Sequence, residues 1–478
     1  METNVAGALG LLIDQGLGKE KYTFGELIEL AERNRLSLGE TVVAEAMIQG
    51  NLSYRDVLES IMRAFDHNLR ALQVGLSHGE SFLLGKVGTD LVAANKGGDR
   101  LIEDAFVNRA LMYTLGTEVG NHEIGLQPCA GTGDSCPYTG LLKAMLESDF
   151  PRERVLEATA LMLKLGTIFR VGKTTTGCNM EGFGAGAAAT AAALVDLKDG
   201  SPRQVGKAVV LALSPTIAVP CTPRVNVPGL CATHISGAIL IGNQAANLIL
   251  QTTIPINVDV DVMLAMAAEI HQAAAAVITA INIQYLRPFF KTRGDVESLI
   301  AEPERAKERE LSHSVIRDSR KRIRRLVSEA SSILKPFGEV VVGGSSLAVG
   351  SPTNMGRIAH ELFRGEIVEI GIELTLDLYA RRAITLPGIL MGAYYGAATN
   401  DAARYHRVMG DILEKKTPIR IKKVGQPEVQ RILVRATERD AMVDTRNRGG
   451  GRLALVDARP SLDEAIDAAR RLGIEIVS

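Results

Sequence analysis

The spacing of apolar residues changes character at Pro336, and that change limits the folds open to this chain more than any other feature. Upstream of it, apolar positions recur with helical periodicity over Arg152–Leu165, Ala185–Leu197, Gln204–Leu213 and Met263–Ala280. Downstream come short β-rich runs, GEVVVGG, EIVEIGIELTL, PIRIKKV, EVQRILVRAT, GRLALVD and IEIVS, mixed with a helix over Ser461–Leu472. A length of 478 residues calls for two or three packed units. The expected architecture is therefore multidomain, α and α+β, with a mainly helical domain followed by a smaller α+β domain. The expected segments are an N-terminal helical stretch (1–74), the helical domain (75–300), a charged helical linker (301–335) and the α+β domain (336–478).

Within the first stretch, Thr23 and Glu26 form a capping pair ahead of Leu27, Ile28 and Leu30. Gly75–Gly98 is glycine-rich and reads as a loop, as does QPCAGTGDSCPYTG, which has too much Gly and Pro for regular structure. The run Arg317, Arg320, Lys321, Arg322, Arg324 and Arg325 reads as a solvated linking helix. Ile235–Ile256 is the most apolar stretch, but Asn243, Gln244, Asn247, Gln251 and Pro255 mark it as a core helix and no membrane segment is expected. Lys and Arg total 54 against 55 acidic residues, Trp is absent and aromatics are scarce, so no nucleic-acid surface is expected. The N-terminus carries Glu2 and Asp14 and no early Lys or Arg, which predicts no secretory signal and a cytoplasmic protein.

Five cysteines without an export signal do not suggest disulfides. Cys178 lies in TTTGCNMEGFGAG, Cys221 in SPTIAVPCTPR and Cys231 in NVPGLCATHIS, separated by 43 and then 10 residues. That spacing is too wide for a zinc ribbon, which needs close Cys pairs. Three thiolates on Gly/Pro-rich loops next to helix N-termini make a cradle for a 4Fe-4S cluster, with buried apolar cysteines as the alternative. Such a cradle leaves one iron without a protein thiolate. GTIFRVGKTTT has five residues between Gly166 and Gly172 where a P-loop needs four, so it is not an NTPase loop.

With these motifs in view, the chain resembles the iron–sulfur-dependent L-serine dehydratases (L-serine ammonia-lyases). Over 75–290 it is similar to the family's α chain, through Gly177, Cys178 and Glu181 ahead of AGAAATAAALVDL, through QPCAGTGDSCPYTGLLKAML, through the Cys221 and Cys231 pair and through GKVGTDLVAANKGGDRL. Over 336–460 it more faintly resembles the β chain, in VVVGGSSLAVGSPTNMGRIAHEL and RGGGRLALVD. The resemblance implies a homodimeric lyase that acts on a small-molecule substrate, with Cys178, Cys221 and Cys231 holding the cluster. The chain departs from the family at its Ser-Ser-His-Thr loop, which reads Ser345, Ser346, Leu347, Ala348, and after the last cluster cysteine, where Ala232, Thr233 and His234 stand. It ends in Ser478 where some members end in Cys. These changes leave a different hydroxy- or amino-acid substrate open.

Eliminating water needs a base, a Lewis acid at the leaving hydroxyl and an anchor for the carboxylate. The candidate anchors are Lys173 with Thr174–Thr176, Arg224 and the Gly131–Gly133 amides, with Ser345 and Ser346 added by the family comparison. His234, three residues past Cys231, is the first candidate base and His122 the second. Glu181 is placed to orient either one or to accept a substrate ammonium. Cys136, ahead of Cys129, is the candidate for a fourth cluster ligand. The alternatives are a cysteine desulfidase-type lyase and a non-catalytic iron–sulfur sensor.

Overall fold

The computed structural model describes residues 21–127, 135–171, 181–217, 230–330, 333–334, 338–424 and 428–477. The chain divides into two compact units between Ile323 and Arg324. The first is helical, and the second carries a small mixed five-stranded sheet with helices.

The first unit begins with α1 (Phe24–Asn34), α2 (Leu38–Gly50) and α3 (Tyr54–Ser77), each opened by a capping box. The Thr23 and Glu26 pair expected from the sequence is one of them, with Thr23 Oγ1 accepting from the Glu26 amide at 3.2 Å. Then follow α4 (Val87–Lys96), α5 (Ala105–Ile124), α6 (Cys136–Leu146) and α7 (Arg152–Val171). A π-turn, Glu181–Ala185, leads into α8 (Gly186–Leu197), and α9 (Pro202–Leu213) follows it. A second π-turn, Leu230–His234, leads into α10 (Ile235–Gln251). The unit closes with α11 (Val260–Leu286), a short α12 (Gly294–Glu297) and the exposed α13 (Glu302–Glu329), which crosses into the second unit. α10 buries Ile235, Ala238, Ile239, Ala245 and Ile249, as a core helix should. One helix among the described residues, Val260–Phe289, is long and apolar enough to cross a membrane by length and composition.

Small residues set the helix spacing. The stretch Gly75–Gly98, read from its glycines as loop, contains helix α4. Its Gly88 is spent on close packing rather than on a turn, since a β-carbon there would lie 2.1 Å from the Gly75 carbonyl oxygen. The α3–α5 contact is closer still: a β-carbon on Gly120 would lie 1.9 Å from the Ala71 carbonyl oxygen. Gly116 and Gly120 share that face of α5. At 100° per residue, Glu118 and His122 point to the opposite face. Replacing Gly120 with valine is expected to destabilise the protein by roughly 3 kcal/mol, because backbone cannot yield as a side chain would. In contrast, Gly410 lies inside a helix with open space around its α-carbon. Gly410→Ala is expected to stabilise by about 0.5–1 kcal/mol. Urea denaturation of the two variants checks both signs.

The second unit opens with a π-turn (Ser346–Gly350) and α14 (Ser351–Leu362). It continues through β1 (Ile367–Leu374), α15 (Leu376–Ala380), α16 (Arg382–Tyr395), α17 (Ala402–Glu414), β2 (Ile419–Lys423), β3 (Gln430–Ala436), β4 (Ala441–Gly449), β5 (Arg452–Arg459) and α18 (Leu462–Arg471). The sheet order is β2-β1-β3-β4-β5, with only β1 and β2 parallel. One face packs on α14 and α18 through Met355, Ile358, Ile370, Ile432, Val443 and Ala468. The other carries Glu369 paired with Arg420 and Arg435, and Arg431 bidentate on Asp444 at 2.7 Å. GEVVVGG, expected as a strand, is not one: Gly343 and Gly344 adopt φ of 79° and 155°, which breaks strand geometry. β4 escaped the sequence reading because MVDTRNR is polar over half its length. IEIVS contributes only an isolated bridge, Leu453 to Ile476.

Candidate functional site

Three helix N-termini converge in the first unit, and Cys136 and Cys231 lie on or just ahead of two of them. Gly186, the first residue of α8, is the junction: a β-carbon there would sit 3.1 Å from Ala238 of α10 and 3.1 Å from Pro137 of α6. α6 starts at Cys136, with Pro137 pre-set for a first turn. The π-turn ahead of α10 contains Cys231, and the one ahead of α8 starts three residues after Cys178. The two π-turns are in contact, with the Phe183 and His234 rings stacked at 5.3 Å. Helix N-termini favour negative charge, so this junction suits thiolates.

Glu118 lies at the centre of the junction, on the face of α5 turned away from α3. Its side chain is 3% exposed. Oε1 is 3.3 Å from Nε2 of His122, one helical turn on. Oε2 accepts from the Cys136 thiol at 2.9 Å and from Asn121 Nδ2 at 3.1 Å, and the Cys231 thiol also bonds the carboxylate. Burial pushes this carboxyl up, but hydrogen bonds from His122, Cys136 and Cys231 outweigh it and hold it below the usual carboxylate range. Cys136 and Cys231 are both fully buried.

The tautomer of His122 follows from its neighbours. Ser81 Oγ accepts the amides of Leu83 and Leu84 at 3.1 and 3.0 Å and lies 2.5 Å from Nδ1 of His122. With its lone pairs occupied, Ser81 gives its own proton to Nδ1. Nε2 then carries the ring proton and points it at Glu118. The donor atoms of Glu118, His122 and Cys231 all lie within 4.8 Å of one another.

The structure thus brings His122, Cys231 and Cys136 together. Cys178, Cys221, Lys173, Thr174, Arg224, Cys129 and Gly131–Gly133 lie outside the described residues, as does the side chain of Glu181. His234 is adjacent through its stacking on Phe183; its Nδ1 is buried with no hydrogen-bond partner among the described residues, and burial holds its pKa below the ordinary histidine value. Ser345 and Ser346 belong to the second unit. Ser345 Oγ caps the π-turn by accepting from Ala348 N at 3.2 Å, and Ser346 Oγ accepts from Gly450 N at 2.8 Å. That second bond explains the glycine run: Gly449, Gly450 and Gly451 all have positive φ, from 63° to 81°. Sequence reasoning missed Glu118 and Ser81. The signal available for Glu118 was its i, i+4 spacing from His122 in TEVGNHE. A cleft of about 760 Å³ lined by Tyr54, Arg55, Met62 and Arg152 shares no residue with this group.

Searches against protein-family models and against curated proteins return no match to this chain.

Proposed function

We propose that the chain is a hydro-lyase of the ammonia-lyase type, which eliminates water from a small hydroxy-amino acid resembling L-serine, or from a related hydroxy acid. In this reading Cys178, Cys221 and Cys231 hold a 4Fe-4S cluster, and a second copy of the chain completes a homodimer. The observation that carries the reading is the junction itself: helix N-termini, two buried cysteines and a buried carboxylate gathered at one point. The donor set fits a metal centre, since soft sulfur ligands select iron–sulfur chemistry. When bound, the cluster supplies a Lewis-acidic iron for the leaving hydroxyl.

The chain's own residues supply the rest. His234, kept neutral by burial, can accept a substrate α-proton at Nδ1. Its stacking on Phe183 fixes the ring plane. His122 and Glu118 act as a fixed pair, with Ser81 setting which imidazole nitrogen faces the junction. Burial of Cys231 and Glu118 excludes bulk water from the polar groups around them. Lys173, Thr174 and Arg224 are the sequence-derived anchors for a carboxylate, and Glu181 the partner for an ammonium.

The test is turnover by anaerobically purified protein offered L-serine and other small 3-hydroxy acids. Release of a 2-keto acid is expected, with ammonia from the amino-acid substrates, and loss of both on exposure to air. Absence of turnover by a chain with a full complement of iron would overturn the reading.

A further inference from the structure

Glu118 is 3% exposed, and a carboxyl buried that deeply needs partners for both oxygens. Among the described residues no Lys or Arg forms an ion pair with Glu118; its neighbours are His122, Asn121 and two thiols. The group therefore brings a carboxylate, an imidazole and a thiol to one point, a donor set that suits a transition-metal cation. Its size agrees. Zinc-type bond lengths of about 2.0–2.3 Å place tetrahedral ligand atoms roughly 3.3–3.8 Å apart. The donor atoms of Glu118, His122 and Cys231 already lie within 4.8 Å of one another, and the Glu118–His122 separation is 3.3 Å.

We propose that Glu118, His122 and Cys231 can bind a single divalent transition-metal ion, which competes with an iron–sulfur cluster for Cys231. One thiolate, one imidazole and one carboxylate suit zinc, iron(II) or cobalt(II), and not magnesium or calcium, which take all-oxygen shells. The thiolate and the carboxylate together balance a divalent charge. An outer shell is already built: Ser81 lies on Nδ1 of His122, and Asn121 and Cys136 hold Oε2 of Glu118. Binding expels the thiol proton of Cys231. It also moves the ring proton of His122 from Nε2 to Nδ1, where Ser81 accepts it in place of one of the Leu83 and Leu84 amides. The inference shares Cys231 with the lyase reading and does not require the cluster to exist. If both hold, zinc is an inhibitor that competes with cluster assembly at that one sulfur.

Cobalt(II) titration of the reduced, cluster-free full chain tests it. The expected result is thiolate-to-cobalt charge-transfer absorption in the near ultraviolet that saturates at about one ion per chain. Cys231→Ser should abolish that absorption, while Glu118→Gln and His122→Ala should weaken binding beyond the ~10–100-fold typical of outer-shell changes. The double variant Cys178→Ala/Cys221→Ala should bind cobalt as the native chain does, although it can hold no cluster. Should Glu118→Gln fail to fold, as judged by circular dichroism, His122→Ala at a partly exposed position carries the same test. No charge-transfer band in the native chain would overturn the proposal. So would a band indifferent to His122→Ala, or one lost in the double variant, which would assign cobalt to the loop cysteines. Failure of the lyase reading would leave the cobalt result untouched.

Discussion

Arg154→Ala is expected to destabilise the helical unit by about 3–5 kcal/mol, which is what removing one partner from a buried ionic network costs. Arg154, itself mostly buried, donates to Glu157 at 2.8 Å and to the Asp196 backbone carbonyl at 2.7 Å, and lies 3.8 Å from the Asp196 carboxylate. The side chains of Glu157 and Asp196 are both fully buried. Tyr54 OH adds a bond to Glu157 at 2.7 Å, and Asp196 Oδ1 takes the amides of Leu38 and Gly39 at the start of α2. The network thus fastens α2, α3, α7 and α8 together. Burial raises the Glu157 carboxyl and pushes Asp196 up to about 6, with Arg154 opposing the rise in both. Without the guanidinium the two carboxyls rise further. A carboxyl whose folded pKa is raised adds stability below its unfolded pKa and loses it as pH climbs through the folded value. The loss caused by Arg154→Ala should therefore be larger at pH 8 than at pH 5. Chemical denaturation at both pH values decides it, and an equal loss would refute the carboxylate explanation.

Cys231→Ala should reduce turnover by at least about a thousandfold, equivalent to roughly 4 kcal/mol of barrier, if a metal-supplied Lewis acid is lost with the thiolate. The thiol is fully buried, so the substitution also removes its bond to Glu118. A structural role alone would predict a modest drop that tracks melting temperature. Comparing steady-state rates for the native and variant proteins well below both melting points separates the two accounts. A variant that is folded and retains more than a tenth of the native rate would argue against a ligand role.

What the sequence revealed divides along physical lines. The helices with strong periodicity were legible, as was the Thr23 capping box, because their signals are local. The glycine-rich stretch before Gly98 misled because glycine serves two purposes, turn and close approach, and Gly88 and Gly75 serve the second. GEVVVGG has strand composition, but Gly343 and Gly344 are used for positive φ, and Glu339 bonds the Gly450 turn instead of a neighbouring strand. Of the candidate site residues, Cys231, His122 and Cys136 were named from the sequence, and the structure brings them together around Glu118. Glu118 was not, since a glutamate inside a helix is normally solvated, and only the packing of Gly116 and Gly120 on α3 turns it inward. Ser81 has no local signal, because its partner is 41 residues away. Cys178, Cys221, Lys173, Thr174 and Arg224 rest on the sequence and its resemblance alone.

The most direct test of the central claim, that this junction is an iron–sulfur centre, is iron and acid-labile sulfide analysis after anaerobic purification. It should be applied to the native chain and to Cys178→Ala, Cys221→Ala and Cys231→Ala. About four irons and four sulfides per chain are expected in the native protein and neither in the three variants. Absence of iron from the native chain, or iron that persists in all three variants, would contradict the assignment.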